Sequence, residues 1–273
     1  MTVHSFGGVC LDRPRVMAIV NVTPDSFSDG GERLDPAQAI DDGLRFVSEG
    51  ADFVDVGGES TRPGSEPTPV EEELRRVLPV VEGLAARNVV VSIDTRRARV
   101  ARACLDAGAR IVNDVSALRD DPDLMPLVAE RGAPVVLMHR RGRPDDRFQG
   151  PAYRDVVEDV RAFLLERAQA CETAGIDRLR IAIDPGLGFG KKPEEDLALV
   201  AGAGRLAAAG HPVLIGASRK SFIGRLTRVE DPKQRVAASV WLAVEATRRG
   251  AAIVRVHDVA ATRQALAVSV LMR

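Results

Sequence analysis

A chain of 273 residues with a net charge of −1, 45% hydrophobic and 28% charged, has the balance of an ordinary globular protein. That balance leaves no basic surface for nucleic acid, and no apolar run approaches the roughly 18 residues that a membrane span needs. Cys10, Cys104 and Cys171 lie far apart with no C-x-x-C pair, so they read as small buried apolar residues; with no signal-peptide layout at the start, the expected compartment is the cytoplasm.

Short Val- and Ile-rich runs alternate with helical patterns along the chain. The expected strands are residues 16–20, 53–56, 89–93, 110–113, 135–138, 180–183, 213–216 and 253–256. Their continuous apolar character is that of strands buried on both faces. Between and after them the spacing predicts helices over 36–49, 70–86, 97–107, 122–130, 152–174, 193–209, 232–249 and 259–270. Most end at a glycine, as at Gly50, Gly108, Gly132 and Gly175, the residue that a left-handed cap favours. No linker or break in composition interrupts the series, so residues 1–273 are expected to form one domain. Eight strands alternating with eight helices point to a (β/α)8 TIM barrel, with an open doubly wound sheet as the competitor. Trp241, on an amphipathic helix, is expected in the core.

The polar residues gather where strands end. N-V-T-P-D-S-F-S-D-G-G at 21–31 follows the first strand, and a polar loop of this length buries nothing itself. It is expected to leave Asn21 fixed at the strand end and to make 23–31 a closing lid, ordered by ligand. G-G-E-S-T-R-P-G at 57–64 follows the second strand, Asp94 ends the third, Asn113 and Asp114 the fourth, His139 the fifth and Asp184 the sixth. S-R-K-S at 218–221 follows the seventh, and Arg255 and His257 flank the end of the eighth. An open sheet collects such residues only at a switch point, whereas a closed barrel brings all eight ends around one pocket.

The residue types constrain what that pocket takes. Arg62, Lys220, Arg255 and His257, with Ser60, Thr61, Ser218 and Ser221, suit a phosphate or diphosphate. No G-x-x-x-x-G-K-[ST] or G-x-G-x-x-G motif marks a nucleotide cradle. Asp94, Asp184 and Asn113 offer acceptors and one amide, a set that matches a fused heterocycle with an amino-amide edge. Ion pairs inside the barrel are the structural alternative for either aspartate. Asp55 and Asp114 read as structural hydrogen-bonding groups. The histidines show no ligand spacing, so zinc is not expected. A diphosphate normally carries Mg²⁺, held by one or two oxygens and water, and Asn21 is the best-placed oxygen.

The motifs at 21–31, 55–64 (D-V-G-G-E-S-T-R-P-G), 92–95, 112–115 (V-N-D-V), 184–190 (D-P-G-L-G-F-G), 218–221 and 255–258 resemble those of dihydropteroate synthase, the pterin-binding barrel of folate synthesis. The resemblance runs over almost the whole chain. It implies Mg²⁺-dependent condensation of 6-hydroxymethyl-7,8-dihydropterin diphosphate with p-aminobenzoate, through a pterin cation, and inhibition by sulfonamides. It also implies that Asp94, Asn113, Asp184 and Lys220 hold the pterin ring, with Arg255 against its face. Asn21, Arg62, Arg255 and His257 would take the diphosphate, with Asn21 also on the metal. Thr61, Pro63, Phe189, Lys220 and Ser221 would form the p-aminobenzoate site. Phe27 and Asp29 would close over it and join Asp94 and Lys220 in catalysis. Members of the family are usually homodimers, and Val236, Ala237, Val240, Trp241, Val244, Leu266 and Val270 are apolar candidates for core or interface. The loop at 140–144 departs from the family pattern, which puts its shape in question. A pterin-dependent methyltransferase would not need the S-T-R-P-G and S-R-K-S sets. A non-catalytic pterin-binding paralogue would be favoured by loss of Arg62 or Lys220, and both are present.

Overall fold

The computed structural model describes residues 5–23, 35–60, 67–142 and 152–272. Eight parallel strands form one sheet: β3 (Arg15–Asn21), β4 (Phe53–Gly57), β5 (Val91–Asp94), β6 (Ile111–Asp114), β7 (Val135–Met138), β8 (Ile181–Asp184), β9 (Leu214–Ile215) and β10 (Ile253–Val256). Sequence neighbours pair in order from β3 to β8, and β10 lies between β3 and β9. The sheet closes on itself between β8 and β9, where Ile183 bridges Val213 and its N–H donates to Pro212 O at 2.9 Å. The architecture is a (β/α)8 TIM barrel.

An antiparallel hairpin of β1 (Ser5–Phe6) and β2 (Val9–Cys10), which no sequence pattern marks, precedes the barrel. It stoppers the end where the strands begin: Phe6 packs edge-on against Phe53 with centroids 6.5 Å apart, inside a cluster of Met17, Ile111, Val136, Ala182, Leu214 and Ile253. Side chains alternate across a strand. Two residues beyond this apolar layer, on the same inward parity, stand Asp55, Asn113, Asp184 and Arg255. The opposite parity packs outward against the helices, as Val54, Val56, Val112, Val135, Ile183 and Val254 do. A slip of one residue in register would turn every polar inward residue into the helix layer.

The outer helices are α1 (Pro36–Ser48), α2 (Val70–Ala85), α3 (Ala98–Asp106), α4 (Leu124–Arg131), α5 (Val156–Thr173), α6 (Pro193–Ala201), α7 (Ala203–Ala207), α8 (Ser221–Thr227), α9 (Val236–Arg248) and α10 (Val259–Leu271). Local chemistry starts several of them. Asp35 caps α1 by accepting from Ala37 N, and Asp155 caps α5 by accepting from Val157 N and Glu158 N. The helix expected over 193–209 divides at Gly202, whose backbone lies so close to Val157 that a Cβ would sit 2.7 Å from its methyls. The seven-residue α8 is too short to leave a periodic signal, and no expected helix covers it.

Trp241 corrects the expectation of a core residue: it is 61% exposed. Ala237 and Trp241, with half-buried Val240 and Val244, form an outward stripe at helical spacing on α9. Val268, Val270 and Leu271 are exposed on α10, which packs beside α9, while Leu266 is buried.

Candidate active site

The inward polar residues meet at the end of the barrel where the strands finish. Arg255 of β10 is the hub. Its Nε donates to Asp55 Oδ2 of β4 at 2.6 Å and its Nη2 to Asp94 Oδ2 of β5 at 2.8 Å. Asn113 of β6 donates through Nδ2 to the same Asp55 oxygen at 2.9 Å, which orients its amide and directs Oδ1 away from Asp55. Three strands that carry acceptors are thus tied to one guanidinium. Asp55 is wholly buried beneath Asp94, so the reading of Asp55 as a structural group holds, and its role is specific, since it anchors both Arg255 and Asn113.

Asp184 ends β8. Its Oδ1 accepts from Gly186 N at 2.7 Å. Gly186 has φ of 67°, and a Cβ there would overlap His139 O at 1.9 Å, so only glycine allows this return of the chain. Lys220 precedes α8 and donates to Leu187 O, with its ammonium 4.8 Å from the centre of the Phe189 ring. Ser221, the first residue of α8, is exposed. His257 lies just beyond β10, with Nδ1 3.0 Å from Ser218 Oγ. Asn21 ends β3 beside Gly57, the residue paired with it across to β4. A Cβ on Gly57 would sit 3.7 Å from Asp94 Oδ2 and 3.8 Å from Asn21 Oδ1, so the bare backbone there keeps the space between the two oxygens open.

Burial sets the electrostatics. It pushes the Asp94 carboxyl up to about 7; Arg255 opposes the rise and Asp55 adds to it. It also raises Asp184, against the pull of Lys220 and the Gly186 N–H. The Lys220 ammonium is pushed down to about 8 by burial, with Asp184 and Asp196 opposing. Two raised acids and a lowered lysine at one end of the barrel are the pattern of a working site.

Asn21, Asp94, Asn113, Asp184, Phe189, Lys220, Ser221, Arg255 and His257 therefore all lie at or just beyond the strand ends, as expected. Thr61, Arg62 and Pro63, and Phe27 and Asp29 with the rest of the expected lid after Thr23, lie outside the described residues. His139 does not join the ring. It lies on the outward parity of its strand, buried behind the ring and edge-on to Phe163 of α5 at 4.9 Å, and burial, then Lys191 and Arg141, push its imidazole down to about 2.

Several charged residues that support the site have no place among the sequence-based expectations. Glu59 takes a two-pronged contact from Arg96 and a third from Arg97 at 2.9 Å, and its Oε1 also accepts from Thr68 N. Arg97 reaches on to the buried Glu73 at 2.9 Å. Arg219, with φ of 59°, is held by both oxygens of Asp258. The E in G-G-E-S and the pair Arg96-Arg97 straight after a strand were the available signal, since charges packed so near a strand end need partners. Among the described residues no three His, Cys, Asp or Glu side chains converge as a metal cluster. No described helix is long and apolar enough to cross a membrane.

The family described as pterin binding enzyme matches residues 17–257. Dihydropteroate synthase of Mycobacterium leprae (strain TN) is 51% identical over 260 residues, 93% of this chain and 92% of that protein. Among solved structures, Xanthomonas albilineans dihydropteroate synthase with 4-aminobenzoic acid superposes with a TM-score of 0.90 at 53% identity, over 96% of this chain and 94% of that one. The Yersinia pestis dihydropteroate synthase in a sulfonamide drug complex superposes with a TM-score of 0.92 at 42% identity, over 100% and 98%. A family match spanning the barrel from β3 to His257, with relatives this alike along nearly their whole length, makes the chain a member of the pterin binding enzyme family.

Proposed function

We propose that the protein is a transferase that joins 6-hydroxymethyl-7,8-dihydropterin diphosphate to p-aminobenzoate, releasing diphosphate and 7,8-dihydropteroate, the reaction its relatives are named for. The observation that carries the reading is the Arg255–Asp55–Asp94–Asn113 network beside Asp184 and Lys220 at the end of the barrel where the strands finish. In this reading Asp184, Asn113 and Asp94 accept from the N–H groups of the pterin, joined by the Lys220 ammonium at the ring. Arg255 covers the ring face and, with His257, the near end of the diphosphate. Phe189, Lys220 and Ser221 line the aryl amine side. Incubation with both substrates and Mg²⁺ is expected to yield dihydropteroate; its absence from a folded preparation would overturn the reading.

The bond between the pterin methylene carbon and the bridging diphosphate oxygen breaks first, and its electron pair leaves with the oxygen. The positive charge spreads over the electron-rich ring, where the Asp94 carboxylate offsets it. The amine nitrogen then bonds to the methylene carbon and loses a proton to solvent. An aryl amine is already neutral near pH 7, so no strong base is needed. Arg255 and His257 take up charge on the departing diphosphate. Asn21 offers a hard oxygen at the open strand end, and that donor suits Mg²⁺, which takes few protein ligands and completes its shell with phosphate oxygens and water. Held there with substrate, the ion would supply neutralisation of leaving-group charge. Scrambling of bridging ¹⁸O in the pterin diphosphate without p-aminobenzoate is the expected result. Clean inversion at a chirally labelled methylene, with no cation trapped, would overturn this order of events.

Sulfonamides carry an aryl amine with a tetrahedral anion in place of the carboxylate. They are expected to compete with p-aminobenzoate in initial-rate assays; weak inhibition at high drug concentrations would count against that. The stripe of exposed Ala237 and Trp241 with half-buried Val240 and Val244, continued by exposed Val268 and Leu271, is proposed as a homodimer face. Trp241→Glu is expected to convert a dimer into a monomer by analytical ultracentrifugation. A cytoplasmic location is part of the same proposal.

A further inference from the structure

The turn Gly186–Gly190 carries Phe189 and contacts Lys220, and buried charges hold its backbone from behind. Gly186 N donates to Asp184, and Gly188 N donates to Asp196 Oδ1 at 2.7 Å. Lys191 Nζ donates to Gly186 O at 2.8 Å and Phe189 O at 3.2 Å. It also lies 3.1 Å from His139 Nδ1 and 3.4 Å from His139 O. Between the Gly186 and Phe189 carbonyls, Leu187 O points the other way, to Lys220. The Leu187 side chain is wholly buried. The Lys191 side of the turn thus fixes which carbonyl is presented to the pocket.

Neither Lys191 nor Asp196 has a part in the proposed chemistry, yet both are buried, Asp196 completely. A buried ammonium and a buried carboxylate are costly unless paired, and an apolar wall would be the cheaper solution. Their directional contacts supply what an apolar wall cannot. Four acceptors around Lys191 Nζ call for the protonated amine, with three N–H groups. Burial pushes that amine down to about 7, and Asp196 is the chief influence holding it up. One Asp196 oxygen accepts from Gly188 N while the other, Oδ2, is buried without a hydrogen-bond partner, so the carboxylate acts on Lys191 through its charge as well.

We propose that Lys191 and Asp196 are positioning residues that clamp the Gly186–Gly190 turn from behind and so set Lys220 and Phe189 in the p-aminobenzoate subsite. The assignment of that subsite rests on the function proposed above. Displacing a positioned group by about 1 Å is enough to cost orders of magnitude in rate or binding. Phe189 belongs to the p-aminobenzoate side, whereas Lys220 and Asp184 border both substrates, so loss of the clamp should fall more heavily on the constants for p-aminobenzoate.

The test uses the full chain with Lys191→Met, Asp196→Ala and Asp196→Asn. Lys191→Met and Asp196→Ala are each expected to raise KM for p-aminobenzoate by about tenfold or more, with a clearly smaller rise in KM for the pterin diphosphate. Asp196→Asn keeps an acceptor for Gly188 N and is expected to recover a large part of the loss. Retained binding of a pterin alone, measured by calorimetry, shows that the variants fold. Folded variants with both KM values unchanged, or both raised alike, would overturn the clamp. Failure of the wild-type protein to form dihydropteroate would instead overturn the function. In that event a crystal structure of Lys191→Met decides the clamp, because retention of the Leu187–Lys220 contact and of the Phe189 position would overturn it.

Discussion

Asp94→Asn is expected to lower kcat/KM by about two to three orders of magnitude while leaving the urea midpoint close to that of the wild type. The loss in rate follows from removing a charge poised where positive charge develops in the proposed reaction, since one such preorganised group is worth about 10²–10³. Small change in stability follows from the sign of the shift. The carboxyl sits at about 7 in the folded protein against 3.8 for an ordinary aspartate, so ionising it disfavours the folded state as pH rises from 3.8 to about 7. A neutral amide of the same shape removes that cost, and Arg255 still has Asp55. The pH profile gives a second reading. kcat/KM for the pterin substrate should climb through about 7 as Asp94 ionises, then fall through about 8 as Lys220 loses its proton. The rising limb should vanish in Asp94→Asn. A variant that keeps that limb would assign it to another group.

Arg255→Met is expected to cost about 3–5 kcal/mol of stability as well as activity, because it leaves the wholly buried Asp55 without its cation. Asp55 Oδ1 already lacks a hydrogen-bond partner, so losing the guanidinium leaves the carboxylate with only the Asn113 amide. The double variant Arg255→Met, Asp55→Asn should regain most of the stability in urea unfolding while remaining inactive, since the anion contact is still missing. An Arg255→Met protein with an unchanged urea midpoint would show that the pair contributes nothing to the fold. The two substitutions separate the roles within one network: Asp94 faces the ligand, and Asp55 holds the residue that does.

The pocket was legible because of how a barrel strand is built. A parallel strand buried on both faces reads as an unbroken apolar run, so Asp94, Asn113, Asp184 and Arg255 stand out wherever they fall. The (β/α)8 alternation then places all their strand ends on one side. Chain order and residue type suffice for that inference, and the TIM barrel and the inner ring of the site followed from them.

Partnership inside the ring was not legible. Asp55 and Arg255 are 200 residues apart, and nothing local to Asp55 distinguishes it from Asp114, which spends its oxygens on Ser116 and Leu118 within its own loop. His139 follows a strand end like the others, yet its outward parity sets its ring against Phe163 of α5, behind the site. Lys191 follows a glycine-rich turn, and nothing beside it in the chain distinguishes it from a surface charge; its carbonyl partners do. Trp241 shows the same limit from the outside. Helical spacing identifies an apolar stripe, but α9 is apolar on two sides, and only its packing against the barrel and α10 decides which side is left over. The alternation of elements and the chemistry gathered at the strand ends can be read from the chain directly, because both are written in local period and residue type. Which charges pair, which carbonyls they hold and which apolar face stays exposed follow from the folded barrel alone, because those contacts join residues that the chain keeps far apart.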